Sequence, residues 1–254
     1  MMNDLNWQQI KVLTVANMKA RYRKTMIGFF WVVLGPILMY SVQAFVFQKF
    51  LKLELHNYYL FLLGGLLPWI FITSSWDSCT PVMVSASSIL KSFQISPLII
   101  LASAIIENFI NFITAFILIV IPTLIYSQEI SLNLIFLPLS LLLLMAFTFI
   151  TTAIFAILHV FYRDIKYVTN FSMSLLFFLT PIFYPTNFVP DQYKWIIQLN
   201  PLFLVIAPFR ASLYGGETIE IIFMLIKAVA LTFVVALIFI KIWKAKKNEL
   251  FLKL

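Results

Sequence analysis

Arg21, Arg23 and Lys24 form the densest basic cluster near the start of this 254-residue chain. A guanidinium presents parallel donors that match two oxygens of a phosphate, and lysine adds a point charge, so the trio suits an anionic phosphate group. The same charges equally suit a plain anchor on the inner side of a membrane, because Lys and Arg cross a bilayer poorly. Two further ionisable residues, Glu107 and Lys227, lie deep in apolar sequence. Charges there are costly in lipid and point to function by default. The plainer alternatives are that Lys227 snorkels on its long stem and that Glu107 faces protein, hydrogen-bonded to Asn108 or Asn111.

Bond-making chemistry has no support. The sequence holds no His-Glu-x-x-His, no paired carboxylates and no Ser/His/Asp set, and Asp77, Glu107, Asp164 and Asp191 are scattered. We therefore expect no catalytic and no metal-ligating residues. None of the six glycines belongs to a phosphate-cradling Gly-x-x-x-x-Gly-Lys-Ser/Thr loop. Cys79 is the only cysteine, which excludes an intramolecular disulfide and reads as a packed, inert thiol.

The elements that must position these residues are long and apolar. The chain is 62% hydrophobic and 11% charged, against roughly 45–50% and about 25% for a soluble domain. Polar breaks divide it into runs near Ile27–Phe47, Tyr58–Trp76, Pro97–Tyr126, Leu132–Leu158, Tyr167–Tyr184 and Ile219–Ile242. All but one comfortably reach the ~20 residues that cross a bilayer. Lipid offers the backbone no partners, so the runs are predicted as helices, and the alternation of a barrel is absent. If the first segment is inside, thirteen of the 18 Lys and Arg fall in inside pieces and four in outside pieces, with Lys227 in the last run. That bias predicts six spans with both termini cytoplasmic. It also places His56 and His159 on opposite sides. The net charge of +8 sits beside span ends, which anionic headgroups explain without nucleic acid.

We read one domain over residues 1–254: an N-terminal cytoplasmic segment (1–26), five spans (27–184), an outer-face stretch (185–218), the last span (219–243) and a cytoplasmic tail (244–254). No cleaved signal peptide is expected. Residues 4–24 have helix-forming character, although Trp7, Ile10, Leu13, Val15 and Met18 make no clean stripe. Pro36 should kink the first span. Ser78–Ser96 is too polar for lipid and too apolar for a loose linker, with Met83, Val84, Ile89, Leu90 and Phe93 able to pack a short helix. Pro190-Asp191 reads as a helix start, Asn200-Pro201 as a stop, and Gly215-Gly216 as a hinge. Trp31, Tyr40, Phe177 and Tyr184 are candidates to line a conduit for sugars, or else belong to packing and the interfacial belt.

The stretch Arg21-Tyr22-Arg23-Lys24 through Gly28, Trp31 and Gly35-Pro36 resembles the opening of polysaccharide-export permeases of the ABC-2 type. That is the transmembrane-subunit family of O-antigen and lipopolysaccharide ABC transporters, related to capsule and teichoic-acid permeases. Gly64–Trp69, Phe161–Ile165, Thr180–Tyr184, and Asn200-Pro201 with Arg210 match in order, so the resemblance covers nearly the whole chain. It implies an all-α membrane protein with six spans, an N-terminal gate helix at residues 4–24 and outer gate helices over Pro185–Tyr214. A cytoplasmic coupling helix would carry Ser85, Ser88, Ile89, Leu90, Lys91 and Phe93 against an ATPase. The Arg163-Asp164 pair leans toward the O-antigen branch. The resemblance further implies a homodimer in the bacterial inner membrane, two copies of a separate ATPase that holds ATP and Mg, and no cofactor on this chain. The cargo would be undecaprenyl-diphosphate-linked glycan, its diphosphate met by Arg21, Arg23 and Lys24. A glycolipid-processing membrane enzyme is the rival class. A drug or lipid exporter of the same broad type shares the spans without the Arg-Tyr…Trp opening.

Overall fold

The computed structural model describes residues 2–23, 28–47, 55–93, 95–127 and 131–254, and every regular element among them is helical. The N-terminal helix α1 (Met2–Tyr22) precedes α2 (Trp31–Phe45), α3 (Tyr58–Cys79) and the short helices α4 (Val82–Ser85) and α5 (Ser87–Phe93). Next come α6 (Pro97–Ala115), which continues through a π-helical segment into α7 (Ile121–Ser127), then α8 (Leu137–Phe161) and α9 (Ile165–Leu179). The chain ends in α10 (Lys194–Leu199), α11 (Pro201–Tyr214) and α12 (Thr218–Lys253).

Among the described residues, five stretches are long and apolar enough to cross a membrane: Gly28–Phe45, Tyr58–Ser85, Pro97–Ser127, Leu132–Phe161 and Thr218–Leu250. A sixth arises if α10 and α11, with the turn before them, form one broken span bent by 94°. The apolar run Tyr167–Tyr184 behaves differently from the others. Its helix, α9, has 15 residues, about 22 Å at 1.5 Å per residue, less than the ~30 Å hydrocarbon core. Beyond Leu179 the chain turns extended at Thr180.

α3 is the centre. Its span is 78% buried, with α2, α6, α8, α9 and α11 packed around it. A helix enclosed on all sides is apolar on all sides, which is why Tyr58–Trp69 carries no amphipathic pattern. Lipid tails are as apolar as side chains, so close packing must hold the helices together, and small residues permit it. Gly64 and Gly65 fill that role against α11 and Ile182.

Local signals act as their chemistry requires. Pro97 opens α6 at its first turn. Pro36 lies within α2 without ending it. Asn200 caps α11, its Oδ1 accepting from Leu202 N at 2.9 Å and Phe203 N at 3.3 Å. Gly215 ends α11 at φ 95°, a conformation glycine adopts without a Cβ clash. Cys79 is fully buried. α12 runs 36 residues without a break, so the last apolar run and the basic tail form one helix, with Leu250 buried in a cluster that includes Cys79 and Met83.

Candidate functional site

The first site begins with α1. Its partly or fully covered residues include Ile10, Leu13, Thr14, Asn17 and Met18, a helical stripe that polar Thr14 and Asn17 conceal from a hydrophobicity reading. The stripe lies along α6: Thr14 Oγ1 donates to Ser103 O at 3.3 Å. About two turns on, Arg21 Nε stands 2.7 Å from Glu107 Oε1 and Arg21 Nη1 donates to Asn108 Oδ1 at 3.1 Å. Both contacts advance in the same direction, so α1 runs alongside the third span rather than across it. Asn108 Nδ2 then donates to Ser78 Oγ at 3.0 Å, tying the pair to α3.

This corrects one expectation. The partner of Glu107, which is 3% exposed, is the arginine of the N-terminal cluster and not a neighbouring amide. A lone carboxylate in a span needs a cation, and the sequence offered that general rule without saying which cation, since Arg21 stands 86 positions away. Arg23 follows exposed at the end of α1, and Lys24 lies outside the described residues.

Beside the pair, α1, α2, α3 and α6 enclose a cavity of about 230 Å³ whose lining includes Arg21, Trp31, Phe71, Ser74, Asn108 and Asn111. The buried Oδ1 of Asn111 has no hydrogen-bond partner among the described residues, and a buried polar atom left so is costly. The cavity thus offers a cation, amides, a hydroxyl and aromatic faces to a ligand carrying both anionic and apolar parts.

The second site lies toward the other end of α3. Arg210 on α11 is 8% exposed. Its Nη1 donates to Pro181 O at 2.6 Å, and its guanidinium sits 4.3 Å from the Phe61 ring centroid. A Cβ at Gly64 would stand 3.0 Å from Arg210 Cγ and 3.2 Å from its Cα. Asn200 Nδ2 donates to Thr180 Oγ1 at 2.8 Å, and Tyr58 Oη donates to Phe183 O at 2.9 Å. Trp69 and Phe177 pack with ring centroids 5.6 Å apart. Three separate pieces of sequence, Gly64–Trp69, Thr180–Tyr184 and Asn200–Arg210, therefore meet in one knot that fastens the bent α10–α11 pair to the central helix. Arg210, counted among the outside charges by sequence, is a structural part of that knot.

The four conduit aromatics do not converge on one cavity. Trp31 lines the cavity beside Arg21, Tyr40 lines another with Tyr59 and Tyr126, and Phe177 and Tyr184 pack against the core. In α5 Leu90 is fully buried, whereas Ile89 is 42% and Phe93 71% exposed. Ser85, Ser88 and Lys91 are exposed beside them. Arg163 and Asp164 stand exposed in the turn between α8 and α9, next to Lys166, which pairs with Asp77 at the end of α3.

Residues 8–214 match the family described as ABC-2 type transporter. An O-antigen export system permease protein RfbA of Klebsiella pneumoniae is 29% identical over 206 residues, 81% of this chain and 80% of the relative. An O-antigen export system permease protein RfbA of Myxococcus xanthus is 26% identical, over 80% of this chain and 78% of its own length. A polysialic acid transport protein KpsM of Escherichia coli is 23% identical over 83% of each chain.

Proposed function

This chain belongs to the ABC-2 type transporter family, a multi-pass membrane transport subunit working with an ABC ATPase, and from that premise we propose that it exports lipid-linked polysaccharide, O-antigen first, across the inner membrane. The observation that carries the cargo is the likeness to O-antigen permeases from two distant bacteria over about four fifths of the chain. Capsular polysaccharide is the second reading, supported by the weaker likeness to a polysialic acid transport protein.

In this reading ATP is hydrolysed on the separate subunit, which docks on α5 through Ser88, Ile89, Lys91 and Phe93, with Ser85 beside them. Two copies of the permease face each other through α2 and α9, whose apolar side chains Val42, Phe45, Phe171 and Phe178 are all more than half exposed and need lipid or protein to cover them. Arg21 and Arg23, with Lys24, receive the lipid diphosphate at the inner leaflet by charge-assisted hydrogen bonds. Trp31, which lines the same cavity, meets the first sugar. Both termini are cytoplasmic, as the basic bias requires.

The test is export itself. Cells lacking this gene, but retaining its ATPase and the polymer-making enzymes, accumulate lipid-linked polymer on the inner side, and the wild-type gene restores it to the surface. Surface polymer present at full level without the gene would overturn the proposal. The chemical identity of the retained polymer separates O-antigen from capsule.

A further inference from the structure

Lys227 is the sole ionisable residue between Glu220 and Lys241 in the last span. Snorkelling toward water was one reading of it. The fold adds a second lysine: Lys194, at the start of α10, lines the same cavity of about 240 Å³ as Lys227, together with Asn187, Gln198, Phe203 and Met224. An adjoining groove of about 590 Å³ shares Gln198, Leu204 and Lys227 and continues along Ala230, Leu231 and Val234. The two cavities thus make one channel with a cationic, amide-lined head and an apolar tail.

The direction of the channel matters. From Lys227 to Val234 is seven residues of α12, about 10 Å, leading from the Thr218 end toward the middle of the apolar stretch. A lipid with its headgroup at that membrane face lies in the same sense, phosphate at the lysines and acyl chain inward. The charge also limits the occupant. Lys194 is paired with Asp191 at 2.6 Å, so the two lysines and the carboxylate leave a single net positive charge. That balances one phosphodiester and falls short of a diphosphate. Lysines act as point charges on phosphate, and Asn187 and Gln198 can meet headgroup hydroxyls.

We propose that the groove between the bent α10–α11 pair and α12 holds one anionic glycerophospholipid, its phosphate between Lys194 and Lys227 and an acyl chain along Ala230–Val234. The bound lipid fills the space between the last span and the helices fastened by Asn200 and Arg210. This site is separate from the cavity at Arg21 and does not depend on the cargo.

The experiment uses the purified permease–ATPase complex in detergent, titrated with phosphatidylglycerol, phosphatidylcholine or undecaprenyl diphosphate. Bound lipid is counted by native mass spectrometry, and thermal melting is followed in parallel. Phosphatidylglycerol is expected to bind roughly tenfold more tightly than phosphatidylcholine, the scale of one or two charge-assisted contacts. K227M and K194M should each remove most of that preference, K227R should keep it, and K244M should leave it unchanged. Equal binding of the two phospholipids would overturn the site, as would an undiminished preference in K227M. Tighter binding of undecaprenyl diphosphate than of phosphatidylglycerol, lost in K227M, would overturn the phospholipid assignment in favour of the carrier lipid. Export plays no part in the readout, so failure here leaves the transport reading untouched.

Discussion

Arg21 Nε lies 2.7 Å from Glu107 Oε1, so the N-terminal helix is held to the third span by an ion pair whose acid is buried and whose base is 39% exposed. Removing one partner of a buried pair strands the other. E107Q should therefore loosen α1 while leaving the spans inserted. The expected loss is about 2 kcal/mol, below the range for fully buried pairs because water reaches Arg21. A double-mutant cycle of R21Q and E107Q, read by thermal melting, should return a coupling of about 1–2 kcal/mol. Additive effects would mean that the contact contributes nothing.

The same arginine is proposed to meet the lipid diphosphate, and that role makes a different demand. R21Q combined with R23Q should cut surface polymer strongly, and lysine at both positions should restore it only in part, since phosphate favours the guanidinium fork. Full rescue by lysine, at equal permease abundance, would leave only the positive-inside anchor, which counts charge and not geometry.

Close approach of α3 and α11 rests on the missing side chain at Gly64. G64A would set a Cβ 3.2 Å from the Arg210 backbone, forcing α11 outward. We expect a melting temperature lower by roughly 5 °C, the scale of an overpacked core. G35A is the matched control, because a Cβ there meets nothing within 4 Å; it should be neutral or slightly stabilising.

In α5, exposure separates docking from folding. I89D with F93D should abolish co-purification of the ATPase without lowering permease abundance, since both side chains face outward. L90D should instead lower abundance, because Leu90 is fully buried and a carboxylate there has no partner. Unchanged co-purification in the first variant would rule out this docking surface.

Cysteines placed at Gln8 and Asn248 should resist an impermeant thiol reagent in intact cells and react after permeabilisation. Cys79 gives little background, being fully buried. Labelling of either position from outside would reverse the orientation.

The sequence made the spans legible, because a run such as Leu132–Leu158 has one solution in lipid. Asn200-Pro201 was equally plain as a break. Other features depended on neighbours that no local pattern encodes. The run Tyr167–Tyr184 was read as one span, yet its helix stops at Leu179, where Asn200 of the following bent pair takes the carbonyl and the Thr180 hydroxyl. Arg210 entered the tally of outside charges, and a tally cannot register burial beneath α3. The stripe on α1 was hidden because polar Thr14 and Asn17 lie within it, Thr14 hydrogen-bonding to Ser103 O. The basic cluster was visible as three charges in four positions, but Glu107 lies 86 positions beyond Arg21, and only the fold brings that pair together.

The 36 residues of α12 contain neither proline nor glycine, the usual origins of a kink. At 1.5 Å per residue the helix is about 54 Å long, a stiff rod with no joint between Leu250 and Lys227. Leu250 is seated in the cluster with Cys79 and Met83 of α3 and α4, while Lys227 borders the groove against the bent pair. One unbroken helix thus links the packing around Met83 of α4 to the groove beside Lys227, with no proline or glycine along it to act as a hinge.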